Sequence, residues 1–248
     1  MVESSTDRGV SEVLGYVLVF SLVLTAIVLV SVPGVSGLEN VRRAEQADNA
    51  DTAFDVLHDN MAELHSEGAP SRATEMELAD SQLFVGESVT VRIHLYDGTW
   101  DNDTTYRVRP LIQRLDGERR LVYEAGAVFR TTRQSGVLFR EPPVLSRDGS
   151  VHITVPATRA TAGNSLGGGT ALVRGEVTDR DVPVSDTDDT YTTVVYNVTS
   201  PRADLWHDHL ETEGFDCSDP ADGTTECQRD SFSRLYVSVR EIELSLVR

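Results

Sequence analysis

The side chains best able to do chemistry are Cys217 and Cys227, His207 and His209, and the acidic run Asp186-Thr187-Asp188-Asp189. Thiolates beside imidazoles would suit zinc, but nine residues separate the two cysteines and match no common zinc spacing. An oxidised Cys217–Cys227 pair closing the loop 218–226 is the simpler account. His207 and His209 lie two residues apart, so on a helix they point to different sides and cannot share a metal. The three aspartates could attract a cation, but they lack the ligand and glycine pattern of an EF-hand loop and read as a solvated acidic loop. Gly163-Asn164-Ser165-Leu166-Gly167 matches the G-x-S-x-G nucleophile elbow by letter. That elbow needs a strand before it and a helix after it, whereas a strand-like segment follows here, so a hairpin loop is expected. These residues supply no nucleophile–base pair, nucleotide site or matched acid and base. The expectation is a non-enzyme with no catalytic, cofactor-binding or metal-ligating residue.

The whole chain sets the frame for those residues. It has 248 residues, 40 acids against 22 bases and a formal charge of −18, and every base is Arg. Nothing basic enough to neutralise phosphates is present, which argues against nucleic acid as a partner. Its 40% hydrophobic content can supply a core and excludes a wholly disordered chain. Carboxylates hold water when salt screens charge, and Arg is more weakly hydrated than Lys. An acidic chain with Arg as its sole base resembles the proteins of extreme halophiles.

Residues 13–32 form a run of 20 with no charge, of which 14 are Val, Leu, Ile or Phe, and Pro33-Gly34 follows. Twenty helical residues rise ~30 Å, which matches the hydrocarbon thickness of a bilayer. The run is longer than the 7–15 apolar residues usual in a cleaved secretory signal. A retained transmembrane helix over 10–34 is therefore expected, with the membrane as a partner.

The stretch Asp7-Arg8-Gly9-Val10-Ser11-Glu12-Val13-Leu14-Gly15-Tyr16 resembles the start of archaeal type IV pilins and pilin-like proteins. The resemblance implies a class III signal segment, 1–9, cut by a prepilin-type peptidase between Gly9 and Val10 while the apolar helix stays on the mature chain. It also implies an assembly role for Glu12, as a carboxylate that meets the terminal amine of a neighbouring subunit. The common haloarchaeal pattern carries Pro where this chain has Glu12, which points away from a major pilin. Residues 38–78, including Gly68-Ala69-Pro70-Ser71-Arg72-Ala73-Thr74-Glu75, resemble an uncharacterised family of pilin-like haloarchaeal membrane proteins. In bacterial type IV pilins a disulfide-bounded loop near the C-terminus often faces partners, and the Cys217–Cys227 loop is similar in position.

For orientation, Arg8 precedes the apolar run and Arg42 and Arg43 follow it, which by the positive-inside rule alone would put the large domain in the cytoplasm. The pilin-like leader, the cysteine pair and two glycosylation sequons, at Asn102 and Asn197, point the other way. A single-pass protein of the cell membrane with an extracellular C-terminal domain is expected.

After Pro33-Gly34, the residues Val41, Ala44, Ala47, Ala50, Phe54, Leu57, Met61 and Leu64 recur at helical spacing, with Asp48, Asp51, Asp55 and Asp59 on other faces. An amphipathic helix over 35–68 follows, stopped by Gly68 and Pro70. From Glu75 the pattern is β. Val89, Val91, Ile93 and Leu95 alternate with polar residues, and further strands are expected at 105–113, 119–124, 126–132, 136–140, 151–155, 170–177 and 190–198. Turn signals fall at Asp97-Gly98, Asp116-Gly117 and Asp148-Gly149. In the last strand, Leu235, Val237 and Val239 change parity to Ile242, Leu244 and Leu246, so a β-bulge is expected near Arg240-Glu241. Ser200 and Pro201 should open a short helix, which with the Cys loop forms an insertion at 200–230.

The expected fold class is α+β: a transmembrane helix continuing as an amphipathic helix, then an antiparallel β-sandwich-like extracellular domain over 75–248, in a pilin-like architecture. The expected function is a pilin-like structural subunit, a minor component of a type IV pilus or related surface assembly, with other pilin-like subunits as partners. A monomeric membrane-anchored adhesion or ligand-binding domain is the alternative.

Residues 39–248 carry a net charge of −16. In dilute buffer the Debye length grows to ~30 Å, so repulsion reaches across the whole domain. Circular dichroism of the segment from about Leu38 onward, followed as salt is lowered, should show loss of structure. Unchanged thermal stability in dilute buffer would remove the halophilic reading.

Overall fold

The N-terminal region forms one long helix, α1 (Thr6–His65), which ends just before Gly68. The helix runs through Pro33-Gly34, where the sequence pattern suggests a break between two helices. The computed structural model describes residues 6–98, 102–115, 118–160, 165–187 and 190–248, and within these the side chains of 6–12, 28–36 and 102 lie outside the description. The turn expected at Asp116-Gly117 is outside it as well. The chain divides into two compact units, Met1–Ala47 and Asp48–Arg248.

Among the described residues, no helix is long and apolar enough to cross a membrane. This overturns the transmembrane helix expected over 10–34, and with it the single-pass placement in the cell membrane with an extracellular domain.

Gly68, with φ +80°, turns the chain out of α1. Then come β1 (Ser71–Glu77), β2 (Gln82–Val85), β3 (Val89–Tyr96), β4 (Asn102–Val108), β5 (Leu111–Arg114) and β6 (Arg120–Glu124). β7 (Ala127–Thr131), β8 (Gly136–Arg140), β9 (Val144–Arg147), β10 (Ser150–Ala160) and β11 (Ser165–Gly167) follow. The chain ends with β12 (Thr170–Asp186), β13 (Thr193–Thr199), helix α2 (Ala203–Thr212), β14 (Asp216–Cys217), β15 (Thr224–Asp230) and β16 (Arg234–Val247).

The strands build three sheets, ordered β1-β12-β16-β10-β9 (sheet A), β11-β2-β5-β6-β7-β8 (sheet B) and β14-β15-β13-β3-β4 (sheet C). The α+β, antiparallel sandwich expectation is corrected here. The protein is mostly β, in three sheets, and β10 pairs with β16 in parallel from Ser150↔Arg234 to Ala160↔Leu244. The described residues pack into two separate cores. One joins β3 and β13 of sheet C to β10 and β16 of sheet A, with Phe129 and Trp206 between them. The other seats Phe54, Leu57, Met61 and Leu64 of α1 against Leu83, Leu121 and Tyr123 of sheet B and Val173 and Ile242 of sheet A. Within β6, Val122 faces the first core while Leu121 and Tyr123 face the second. The strand is thus buried on both sides, which is why it reads as a continuous apolar run.

The same division explains the parity change in β16. Leu235, Val237 and Val239 belong to the first core, Ile242 and Leu244 to the second. The two halves of the strand bury opposite faces, and its pairing with β10 stays in step throughout. The expected bulge at Arg240-Glu241 is therefore corrected. Two register shifts lie along β12 instead: Val177 pairs with Ile242 and Asp179 with Glu241, leaving Thr178 between them, and a second falls between Asp181 and Val184.

Gly175 on β12 lies under α1, and a Cβ there would stand 2.8 Å from Leu64 Cδ1 and 3.1 Å from Met61 Cε. At the end of the helix His65 is buried, and its Nδ1 lies 2.8 Å from Ser66 Oγ. Burial first, then the charges of His58 and Arg240, lower its pKa from 6.5 to about 4. Unfolded chains bind this proton below about pH 6.5, whereas the folded protein binds it only near pH 4. The stability that neutral His65 contributes is complete above pH 6.5 and declines as pH falls toward 4, by roughly 3 kcal/mol in all. Urea unfolding of wild type and His65→Gln at pH 7.5 and pH 5 should show the smaller pH-dependent loss in the variant. Equal losses would show that His65 is not the group titrating.

Candidate functional site

The chemistry-bearing residues near the C-terminus collect around α2. Ala125 (φ +47°) and Gly126 (φ +89°) reverse the chain between β6 and β7. A Cβ on Gly126 would lie 2.3 Å from Pro143 Cδ, so only glycine fits. The turn leaves the Glu124 carboxylate inside the protein, fully buried. It accepts hydrogen bonds from Ser200 Oγ (2.7 Å), Trp206 Nε1 (2.9 Å) and Arg202 Nε (3.0 Å), and from Arg202 Nη2 as well. A buried carboxylate is tolerable only when paired and fully hydrogen-bonded, and this one is. Trp206 packs edge-on to Phe129 with ring centroids 5.6 Å apart, and Tyr196 lies at 6.3 Å on another side. Burial, with the Glu124 charge adding to it, raises the pKa of the Tyr196 hydroxyl. The helix start differs from the expected cap. Arg202 is the N-cap residue with no side-chain cap bond, while Ser200 Oγ donates to Glu124 and accepts from the Arg202 N–H at 3.1 Å.

Cys217 and Cys227 form a disulfide, as the sequence suggests, and face each other across β14 and β15. The intervening segment is an ordered hairpin. Asp222 (φ +53°) and Gly223 (φ +72°) form its turn, and Ala221 and Thr224 exchange backbone hydrogen bonds at 2.9 Å. The Ser200 N–H donates to Gly223 O at 2.8 Å and ties the hairpin tip to the Glu124 cluster. His209 is buried in α2, which lowers its pKa against the opposing pull of Glu213 and Glu141. His207 faces Asp208 (3.4 Å) and Glu211 (3.8 Å). Among the described residues no group of three or more His, Cys, Asp or Glu could hold a metal ion.

The other sequence-derived positions are spread over the chain. Gly9, Val10 and Glu12 lie on the first turns of α1, with their side chains outside the description. Asn102 begins β4, and its side chain is likewise outside it. Asn197 lies mid-strand in β13 and donates Nδ2–H to Glu226 Oε2 at 3.2 Å. Of the G-x-S-x-G match only Ser165–Gly167 is described, as β11 pairing with β2, while 161–164 lie outside the described residues. Asp186 accepts the Tyr191 N–H at 3.0 Å, and Asp188 and Asp189 also lie outside them.

Two constellations escaped the sequence reading. Asp51, Asp55 and Asp59 form an i,i+4 ridge on α1 that meets arginines of and beside sheet B. Asp51 Oδ2 accepts from both Arg119 (2.6 Å) and Arg130 (2.7 Å), and Arg140 reaches Asp59 (2.6 Å) and Asp55 (3.2 Å). The four-residue spacing of the aspartates is the signal that could have revealed the ridge. The second is a cleft of about 770 Å³ where β4 approaches β10, lined by Arg107, Arg109 and Arg159 with Tyr106 and Glu241. Arg107 and Arg109 share the two-residue spacing of a strand, but no spacing in the sequence links Arg159 to them.

Residues 8–245 match the model of a family described as Family of unknown function (DUF7289). The chain belongs to that family. No curated protein and no solved structure matches the chain. The family model spans α1 from Arg8 and all three sheets, so helix and β unit are parts of one family architecture rather than a tag joined to a separate domain.

Replacing Glu124 with Ala strands the Arg202 guanidinium, the Trp206 indole N–H and the Ser200 hydroxyl together. Breaking a buried pair from one side costs about 3–5 kcal/mol. Urea unfolding of Glu124→Ala should show a loss of that size, with Glu124→Gln recovering part of it. A loss below about 1 kcal/mol would show that the cluster relaxes or hydrates.

Proposed function

We propose that this protein is a pilin-like structural subunit whose N-terminal helix packs among the same helices of other copies. The observation that carries the reading is the surface of α1 over 13–27. Val13, Leu14, Tyr16, Val17, Leu18, Val19, Phe20, Leu22, Val23, Leu24 and Ile27 are all exposed. At 100° per residue they cover every face of the helix, and Tyr16 and Phe20 stack on one another with centroids 6.4 Å apart. Each such side chain gains ~1.5–3 kcal/mol on leaving water. One partner helix covers one stripe only, so an all-round apolar helix is satisfied by several helices packed around it. The resemblance of residues 7–16 to archaeal type IV pilin-like starts supports the same reading. It adds a prepilin-type peptidase that cuts between Gly9 and Val10, and Glu12 as the carboxylate meeting a neighbour's new amine. The β unit, ordered by its own cores, is the part of the subunit left to face other molecules.

Sedimentation and negative-stain electron microscopy of the full chain in concentrated salt should show assemblies of many copies. Phe20→Asp with Leu24→Asp should shift it to monomer while the β-sheet circular dichroism stays unchanged. Intact-mass analysis from the native host should place the mature N-terminus at Val10. A wild-type chain that remains monomeric, or a double variant that assembles equally well, would overturn the reading.

A further inference from the structure

The cleft between β4 and β10 carries an inference about binding that does not depend on the N-terminal helix. Both walls are strand edges. β4 is the outermost strand of its sheet, and β10 pairs with β9 only over Ser150–Ile153, so its second half has no ladder on that side among the described residues. The two strands touch where the Arg109 N–H donates to Thr158 O (2.8 Å) and Thr158 Oγ1 donates to Arg109 O (2.6 Å). Beyond that clasp the edges part and leave the opening of about 770 Å³. Arg107, Arg109 and Arg159 line it, against one carboxylate, Glu241, which pairs with Arg159. Arg107 is exposed and has no ion-pair partner among the described residues, and Arg109 Nη1 reaches only Gly86 O at 3.5 Å. The lining therefore carries a net formal charge of +2 on a chain whose formal charge is −18.

Three guanidiniums beside one another repel, and in so acidic a chain carboxylates to separate them are plentiful. Their gathering at an open strand edge matches a ligand with several carboxylates. Guanidinium groups take carboxylates in bidentate pairs, and Thr105 and Ser88 add hydroxyls beside them. We propose that this cleft binds an extended acidic peptide segment, which lies along the outer edge of β4 and places its carboxylates on Arg107, Arg109 and Arg159. A peptide fits better than a small anion because consecutive residues of both strands line the cleft, and an exposed edge offers backbone donors and acceptors at strand spacing.

The test is titration of the full chain, in the salt that keeps it folded, with a synthetic peptide of alternating Asp and Thr. Binding is read by fluorescence anisotropy and by amide chemical shifts of β4. Binding should occur, weaken at least tenfold in Arg107→Gln and again in Arg107→Gln with Arg159→Gln, vanish for the Asn-Thr peptide, and shift the amides of 102–108. Both arginines are exposed, so the variants should keep the wild-type circular dichroism. Absence of binding, or binding that both variants preserve, would overturn the proposal. So would equal binding of a polyuronate of matched charge without movement of the β4 amides, which would make the cleft a plain electrostatic patch.

Discussion

Phe54, Leu57, Met61 and Leu64 fill the seam where sheet A meets sheet B, and all four are removed from water. Neither sheet closes that core alone. Sheet A contributes Met76, Val173 and Ile242, sheet B contributes Leu83, Leu121 and Tyr123, and the helix supplies the bulk between them. The close approach rests on Gly175, where a larger residue would press on Leu64 and Met61. α1 occupies this side of sheet B, while the other face of β6 meets the first core through Val122, so the strand is buried on both sides.

The charges obey the same geometry. Buried Glu124 is tolerated because Arg202, Trp206 and Ser200 donate to it, and that cluster fixes the start of α2 and the tip of the disulfide hairpin. Asp51, Asp55 and Asp59 flank the apolar ridge of α1 and meet Arg119, Arg130 and Arg140, so the helix is held in rotation as well as in depth. Arg suits both places, since one planar fork can bridge two carboxylates or be half-buried while charged. The Arg-lined cleft at β4 differs in kind, because there the guanidiniums outnumber the acids that face them.

The two units have opposite needs. The β unit has its apolar surface inside, whereas α1 over 13–27 presents its apolar surface outward. The assembly we propose falls to the helix and the binding we propose falls to the β unit, and the matched family model spans both parts.

Much of this was legible from residue order alone, where the signal is local. The alternation in β3, the runs that became β6, β7 and β8, the helical stripe from Ala50 to Leu64 and the Cys217–Cys227 pair all depend on neighbours a few residues away. The single three-sheet architecture, the parallel β10–β16 pair and the transfer of the bulge to β12 were not legible. A parity change in one strand reads as a bulge until it is known that two different cores cover its opposite faces. The transmembrane expectation failed for a related reason, since an apolar composition records a wish to leave water without recording which surface provides the shelter. Likewise Arg107 and Arg109 stand two residues apart in sequence, but only the meeting of two strand edges from different sheets brings Arg159 to them. Periodicity determines which face of an element is apolar; which partner covers that face is settled by long-range packing, where every element's burial is decided jointly with the others.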